Sequence, residues 1–227
     1  MRIRPVVVLL FSAVTIASVL PAADLTTYRN FRIGMSTGDV AKETGLAVAN
    51  AKLLSSRPQR VEEMDWRIDW TPPSTGTQAD PVRQILFGFY NTSLYEVTVT
   101  YDRDQTSGLT DSDMIDALSG IYGTATKPDT PEMTFKSGYN KIVKVVARWE
   151  DARDQVSLIQ LPYHGGFGLV LSAKDNQILA DQAIVDSDRL DRAEAPRNEL
   201  ALQAKQIADA QAIDEKARSL NKPGFRP

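Results

Sequence analysis

Two short stretches of this chain, 74 positions apart, carry the same helix-starting grammar: Gly34-Met35-Ser36-Thr37-Gly38-Asp39-Val40 and Gly108-Leu109-Thr110-Asp111-Ser112-Asp113-Met114. Each places a hydroxyl where an N-cap accepts a first-turn amide. A carboxylate three residues on meets the remaining free N–H groups and the positive end of the helix dipole. Apolar residues flank each cap as a hydrophobic staple. Strand-like segments follow both copies, so the chain reads as an internal duplication.

The N-terminus sets the address. Arg2 and Arg4 precede a mostly apolar run from Val6 to Leu20, and Pro21-Ala22-Ala23 follows. That order is a secretory signal, and the run is too short to span a bilayer comfortably. Cleavage at Ala22 or Ala23 is expected, with Ala17 as an alternative site and an uncleaved anchor as the other outcome. Without the two signal arginines, 24 basic residues stand against 29 acidic, a formal charge of -5. Both signs are scattered, which gives nucleic acid or anionic lipid nothing to grip. The chain has no cysteine. An exported protein of this kind relies on core burial rather than disulfide staples.

Periodicity supplies the elements. A helix is expected from Ser36 to Thr44, stopped by Gly45, with a further helical turn over Ala47 to Leu54 closed by Pro58. Met64, Trp66, Ile68 and Trp70 alternate with Asp65, Arg67 and Asp69, which predicts a strand. Val82–Tyr90 and Leu94–Asp102 read as a hairpin whose Glu96, Thr98, Thr100 and Asp102 face water. The second helix starts at Thr110 and ends before Gly123. A long connection from Thr124 to Asn140 leads to strands at Val143–Glu150, Gln155–Leu161 and Phe167–Lys174, with Val143, Val145, Ala147 and Trp149 on one face. Beyond Asp175 the composition turns to Ala, Gln and mixed charge. Leu200, Ala204, Ile207, Ala210, Ile213, Ala217 and Leu220 form a thin apolar stripe, and Pro196 is expected to split this tail into two helical halves.

The expected fold class is α+β: two repeats of a helix followed by a three-stranded antiparallel sheet, helices on one face, plus a C-terminal helical tail. The boundaries are 1–23 for the signal, 24–106 and 107–174 for the repeats, and 175–227 for the tail.

The phrase Phe31-Arg32-Ile33-Gly34-Met35-Ser36-Thr37-Gly38-Asp39-Val40, with its Thr44-Gly45 stop, resembles the helix opening of small exported bacterial modules of the SmpA/OmlA type. The tandem spacing resembles that of the two-domain beta-lactamase inhibitory proteins, whose halves each lay short helices on an antiparallel sheet. The likeness covers Tyr28 to Lys174 and implies a fold. It implies no site residue, because this chain lacks both the lipid-attachment and the stapling cysteines. The ending Asn221-Lys222-Pro223-Gly224-Phe225-Arg226-Pro227 is similar to that of other exported bacterial proteins.

Chemistry-bearing residues are sparse. His164, the single histidine, lies in a Gly-rich hairpin loop with no partners for zinc or nucleophilic catalysis. Asp102, Asp104, Thr106, Thr110 and Asp113 loosely echo a calcium loop but lack its glycine and terminal glutamate. Asp113 is already explained as a capping carboxylate. Trp66, Trp70, Tyr95, Tyr101 and Trp149 share strand faces with aliphatics and read as core, whereas Phe135, Tyr139 and Tyr163 lie in loops. Glu62-Glu63 and Asp151 with Asp154 are ordinary surface carboxylates.

The expectation is therefore an exported module, periplasmic or extracellular. It is expected to be non-enzymatic, without cofactor or metal, binding protein or scaffolding the envelope. It would contact a protein partner through Tyr139, Tyr163, His164, Leu200, Ile207, Ile213 and Leu220, with self-association through the tail, no nucleic acid, and no stable membrane insertion after cleavage. The alternatives are a periplasmic hydrolase using carboxylates near Asp102 and Asp151, or an inhibitor of a secreted enzyme.

Overall fold

Both helix starts form as their residues dictate. In the computed structural model, which describes residues 24–68, 80–126, 128, 130, 132–135, 141–161, 166–224 and 226, Ser36 is extended and its Oγ accepts the Asp39 amide at 3.1 Å. Helix α1 runs Thr37–Thr44 and closes on Gly45 in the left-handed region, φ 72°. Thr110 repeats the device with a complete capping box: its Oγ1 accepts the Asp113 amide at 3.2 Å, and its own amide donates to Asp113 Oδ2 at 2.8 Å. Helix α2 then runs Asp111–Tyr122. Two residues before each cap stands a glycine at positive φ, Gly34 at 94° and Gly108 at 83°. This is a backbone state in which a side chain would be strained.

A small hairpin of β1 (Thr27–Tyr28) and β2 (Phe31–Arg32) opens the described chain. Eight further strands follow: β3 (Lys52–Ser55), β4 (Val61–Arg67), β5 (Val82–Tyr90), β6 (Ser93–Tyr101), β7 (Glu132–Phe135), β8 (Lys141–Glu150), β9 (Asp154–Gln160) and β10 (Phe167–Ala173). They make one antiparallel sheet in the order β3-β4-β5-β6-β10-β9-β8-β7. Each half of the chain contributes a four-strand meander, and the halves join where β6 pairs with β10, Val97 opposite Leu171 and Val99 opposite Leu169. The fold is α+β, with a large antiparallel sheet and a long C-terminal helix.

This corrects the expectation of three-stranded sheets. The extra strand in the first half is β3, in a stretch read as a helical turn; only Val48–Asn50 is a 3-10 helix there. The extra strand in the second half is β7, inside the stretch read as a connection. Both are four-residue edge strands, too short for period-two alternation to register. Strand β4 starts three residues earlier than Met64, and Trp70 lies outside the described residues.

The two repeat helices lie on one face of the sheet, as expected, and the C-terminal helix covers the other. Val40 and Ala41 of α1, and Met114, Leu118 and Tyr122 of α2, pack with Phe31, Met64, Phe87, Val97, Trp149, Leu158 and Leu169 in the main core. Trp149 is 1% exposed and its indole N–H donates to the Gly123 carbonyl at 2.9 Å, tying the end of α2 to β8. A bulge between Val145 and Ala147 splits the expected shared face of β8. Val143 and Val145 therefore join Ile159 and Val170 in a separate cluster, while Ala147 and Trp149 stay in the main core.

On the opposite face lies α3 (Lys174–Asn221), 48 residues and about 72 Å long at 1.5 Å per residue. It runs through Pro196 without a break, contrary to the split that proline's missing N–H predicted. Residues 191–193 are exposed, so water can solvate the Arg192 carbonyl that Pro196 leaves unbonded. Among the described residues no helix is long and apolar enough to cross a membrane. The expected signal, residues 1–23, lies outside them.

Candidate functional site

The longest element divides into two parts by its surroundings. Over residues 174–194, α3 touches β10, β6, β5, β4 and β3 in turn, using small side chains. Ala180, Ala183 and Ser187 are its buried residues, and the two alanines pack on Val61 and Tyr95. Small residues let a helix backbone approach closely and leave room for polar contacts beneath it. Gln177 Nε2 donates to Glu96 Oε2 at 3.1 Å and Ser172 Oγ donates to Gln177 Oε1 at 3.0 Å. Gln155 Nε2 donates to Ser172 Oγ at 3.1 Å, and Ser172 is wholly buried. The face of β6 carrying Glu96 and Thr98, expected to be wet, is thus covered. A bulge at Tyr95 turns its ring onto this face beside Val61.

Ionic clamps hold both ends of the docked part. Lys174 Nζ donates to Glu150 Oε2 and to the Asp151 carbonyl, each at 2.7 Å. At the far end Arg57, in the β3–β4 turn, donates to Asp191 Oδ1 at 2.8 Å and Glu194 Oε1 at 2.9 Å. The guanidinium holds the Glu194 carboxyl below the usual carboxylate range. Burial pushes the Tyr95 phenol up, reinforced by Glu96, Asp181 and Glu63, so Tyr95 stays neutral.

Past Glu194 the helix leaves the body, and residues 195–221 are exposed throughout. Leu200, Leu202, Ile207, Ile213 and Leu220 are 57–70% exposed. At 100° per residue, Leu200 and Ile207 lie within about 20° of each other, as do Ile213 and Leu220, but the pairs stand about 120–160° apart. The single stripe read from sequence is therefore two rows. Leu202 joins the Ile213–Leu220 row.

Sequence reading missed Ile178 and Val185, exposed at 67% and 61% on the docked part. They continue the row of Leu200 and Ile207 at helical phase. That continuity was readable in the spacing, but treating Pro196 as a break hid it. Tyr139, Tyr163 and His164 lie outside the described residues, as does the side chain of Phe135.

The carboxylates considered for hydrolysis do not converge. Asp102 follows β6 and accepts the amides of Asp104 and Gln105 at 2.9 and 3.2 Å. Asp151 accepts those of Arg153 and Asp154 at 2.7 and 2.8 Å in the β8–β9 turn, and these bonds hold its carboxyl below the ordinary range. Burial, with Asp151 nearby, pushes Asp154 up. The register sets Thr100 opposite Gly168 and Asp154 opposite Ala173. Asp102 and the Asp151–Asp154 pair therefore sit at opposite ends of the strands, about 20 Å apart at 3.3 Å per residue. Paired-carboxylate glycoside chemistry works across less than about 10 Å. Among the described residues, no three His, Cys, Asp or Glu side chains are grouped to hold a metal ion.

No family model and no curated protein matches this chain. A solved structure of a cysteine-rich secretory protein from Staphylococcus aureus subsp. aureus Mu50 is similar over 63% of this chain at 10% identity, with a TM-score of 0.31. The aligned part spans 44% of that protein's length.

Proposed function

We propose that this protein is an exported, non-enzymatic binding or scaffolding module that presents a helical arm to a protein partner in the periplasm or outside the cell. The observation that carries the reading is the second part of α3. About 40 Å of helix at 1.5 Å per residue stands clear of the body and exposes five large aliphatic side chains. An isolated helix with weak amphipathicity is marginal in water. A chain gains from keeping such an arm when a partner covers it. The clamps at Lys174 and Arg57 support the same reading, since they fix the direction in which the arm leaves.

Capture from envelope extract tests this. The full chain is expected to retain proteins that a chain lacking residues 195–227 does not; identical sets would remove the arm from the account.

We also infer that the body arose by duplication of a helix followed by a four-strand meander, in the manner of the tandem SmpA/OmlA-like modules. The support is the matching pair of helix starts and a strand order that reads alike outward from β6 and β10. On that reading the sheet is a rigid base and the arm the working part.

A further inference from the structure

We propose that the partner of α3 is α3 of a second copy, paired antiparallel along the row Ile178, Val185, Leu200 and Ile207. This rests on the binding reading above and names its partner. The four side chains are 59–67% exposed and fall within about 60° of one another around the helix, over about 44 Å of its length. Ala180, Ala183 and Ser187, which face the sheet, lie about half a turn away. The row therefore points away from the body along both the docked part and the arm.

The spacing of the row is its own mirror image. Ile178 to Val185 is seven residues, Val185 to Leu200 fifteen, and Leu200 to Ile207 seven. An antiparallel copy with its two-fold axis between Arg192 and Ala193 sets Ile178 level with Ile207 of the second copy, and Val185 level with Leu200. This is an isologous contact, in which one patch complements itself. A parallel pair of straight helices would instead set two exposed arms together and bring the two bodies to the same end.

Charge is balanced in this register, because on the other flank Asp188 falls as close to Glu199 of the second copy as Asp186 falls to Arg197 on the first. Asp186 and Arg197 lie on the same flank of the row, and the antiparallel axis brings Asp186 of one copy within about two residues' rise of Arg197 of the other. Arg189, on the row itself and bonded to Asp186 at 2.9 Å, falls beside Glu199 of the second copy. Each arm then lies on the docked part of the other copy's α3, with the two bodies on the outer sides of the seam. The Leu202, Ile213 and Leu220 row stays free for a different protein.

The test uses the purified protein in the form its host produces. Light scattering on a sizing column is expected to give twice the chain mass, and Ile178→Asp or Ile207→Asp to give the single-chain mass with unchanged circular dichroism. Because the chain has no native cysteine, Ile178→Cys combined with Ile207→Cys is expected to cross-link two chains under mild oxidation. Ile178→Cys alone is expected not to. A single-chain mass for the unaltered protein overturns the proposal, and so does cross-linking by Ile178→Cys alone, which marks parallel pairing. A single-chain mass together with arm-dependent capture of envelope proteins sinks the self-pairing and leaves the binding reading. A dimer whose capture is unchanged by removing residues 195–227 does the reverse.

Discussion

The two faces of the sheet are held by different forces. Under α1 and α2 the contacts are apolar: Phe87, Val97, Leu158, Leu169 and Leu171 are completely buried and Trp149 nearly so. Burial of this kind is non-directional and supplies most of the stability of a domain. Under α3 a smaller apolar cluster, Ala180 and Ala183 on Val61 and Tyr95, is joined by Ser187 and the hydrogen-bonded chain Gln155–Ser172–Gln177–Glu96. Such bonds add little net stability but are costly to leave unmade, so they specify position. One face keeps the body folded; the other fixes where the helix lies and where it departs. The consequence is a body that survives displacement of α3.

The largest expected effect lies on the apolar face. Trp149→Ala removes a 1%-exposed indole and its bond to Gly123 and is expected to cost about 3–5 kcal/mol in urea unfolding. On the other face, Ala183→Leu forces bulk into the 3%-exposed contact with β4 and β6 and is expected to cost about 1–3 kcal/mol. That loss should be local. Amide exchange is expected to accelerate over residues 176–190 while β5 and β6 keep their protection. If β5 and β6 lose protection equally, the two faces form one cooperative unit and the contrast fails.

What was legible in the sequence follows the same division. Local chemistry wrote itself plainly: Ser36 and Thr110 cap, Gly45 stops α1, and Val82–Tyr90 reads as a strand over the same residues that β5 spans. Residues placed by distant partners were hidden. Lys52–Ser55 is a strand because β4 offers it a ladder, with Lys52 opposite Glu63, and nothing in those four residues announces it. The bulges at Tyr95 and Val146 turn side chains to the other face without a local signal. Glu96 and Thr98 looked solvated because α3 covers them from far along the chain, with Gln177 81 residues after Glu96. At the candidate site, exposed aliphatics were visible one by one. Their division into two rows depended on whether the helix continues through Pro196.

Within the polar face the effects grow smaller. Gln177→Ala removes one donor to Glu96 and the acceptor for Ser172. The expected loss is about 1 kcal/mol, the net worth of an ordinary hydrogen bond, seen again as faster exchange in α3 alone. Gln177→Glu should be worse, because it sets a second carboxylate against Glu96.

The smallest effect is a pH dependence with two opposed contributions. Arg57 depresses the folded-state value of Glu194, so the latch contributes fully above the unfolded carboxylate value of about 4.3 and fades as pH falls through the folded value. Both groups are exposed, and the contribution is correspondingly slight. Glu63 shares the α3 face of β4 with Val61, by alternation with Met64, and burial pushes its carboxyl up. A raised carboxylate value is a penalty present at neutral pH and relieved as pH falls, the opposite sign. Amide exchange over residues 186–194, followed from neutral pH down through the carboxylate range, separates them. Arg57→Gln should abolish the loosening at low pH, and Glu63→Gln should abolish the tightening that precedes it. A profile indifferent to both substitutions would mean that the polar face positions α3 through its neutral hydrogen bonds alone.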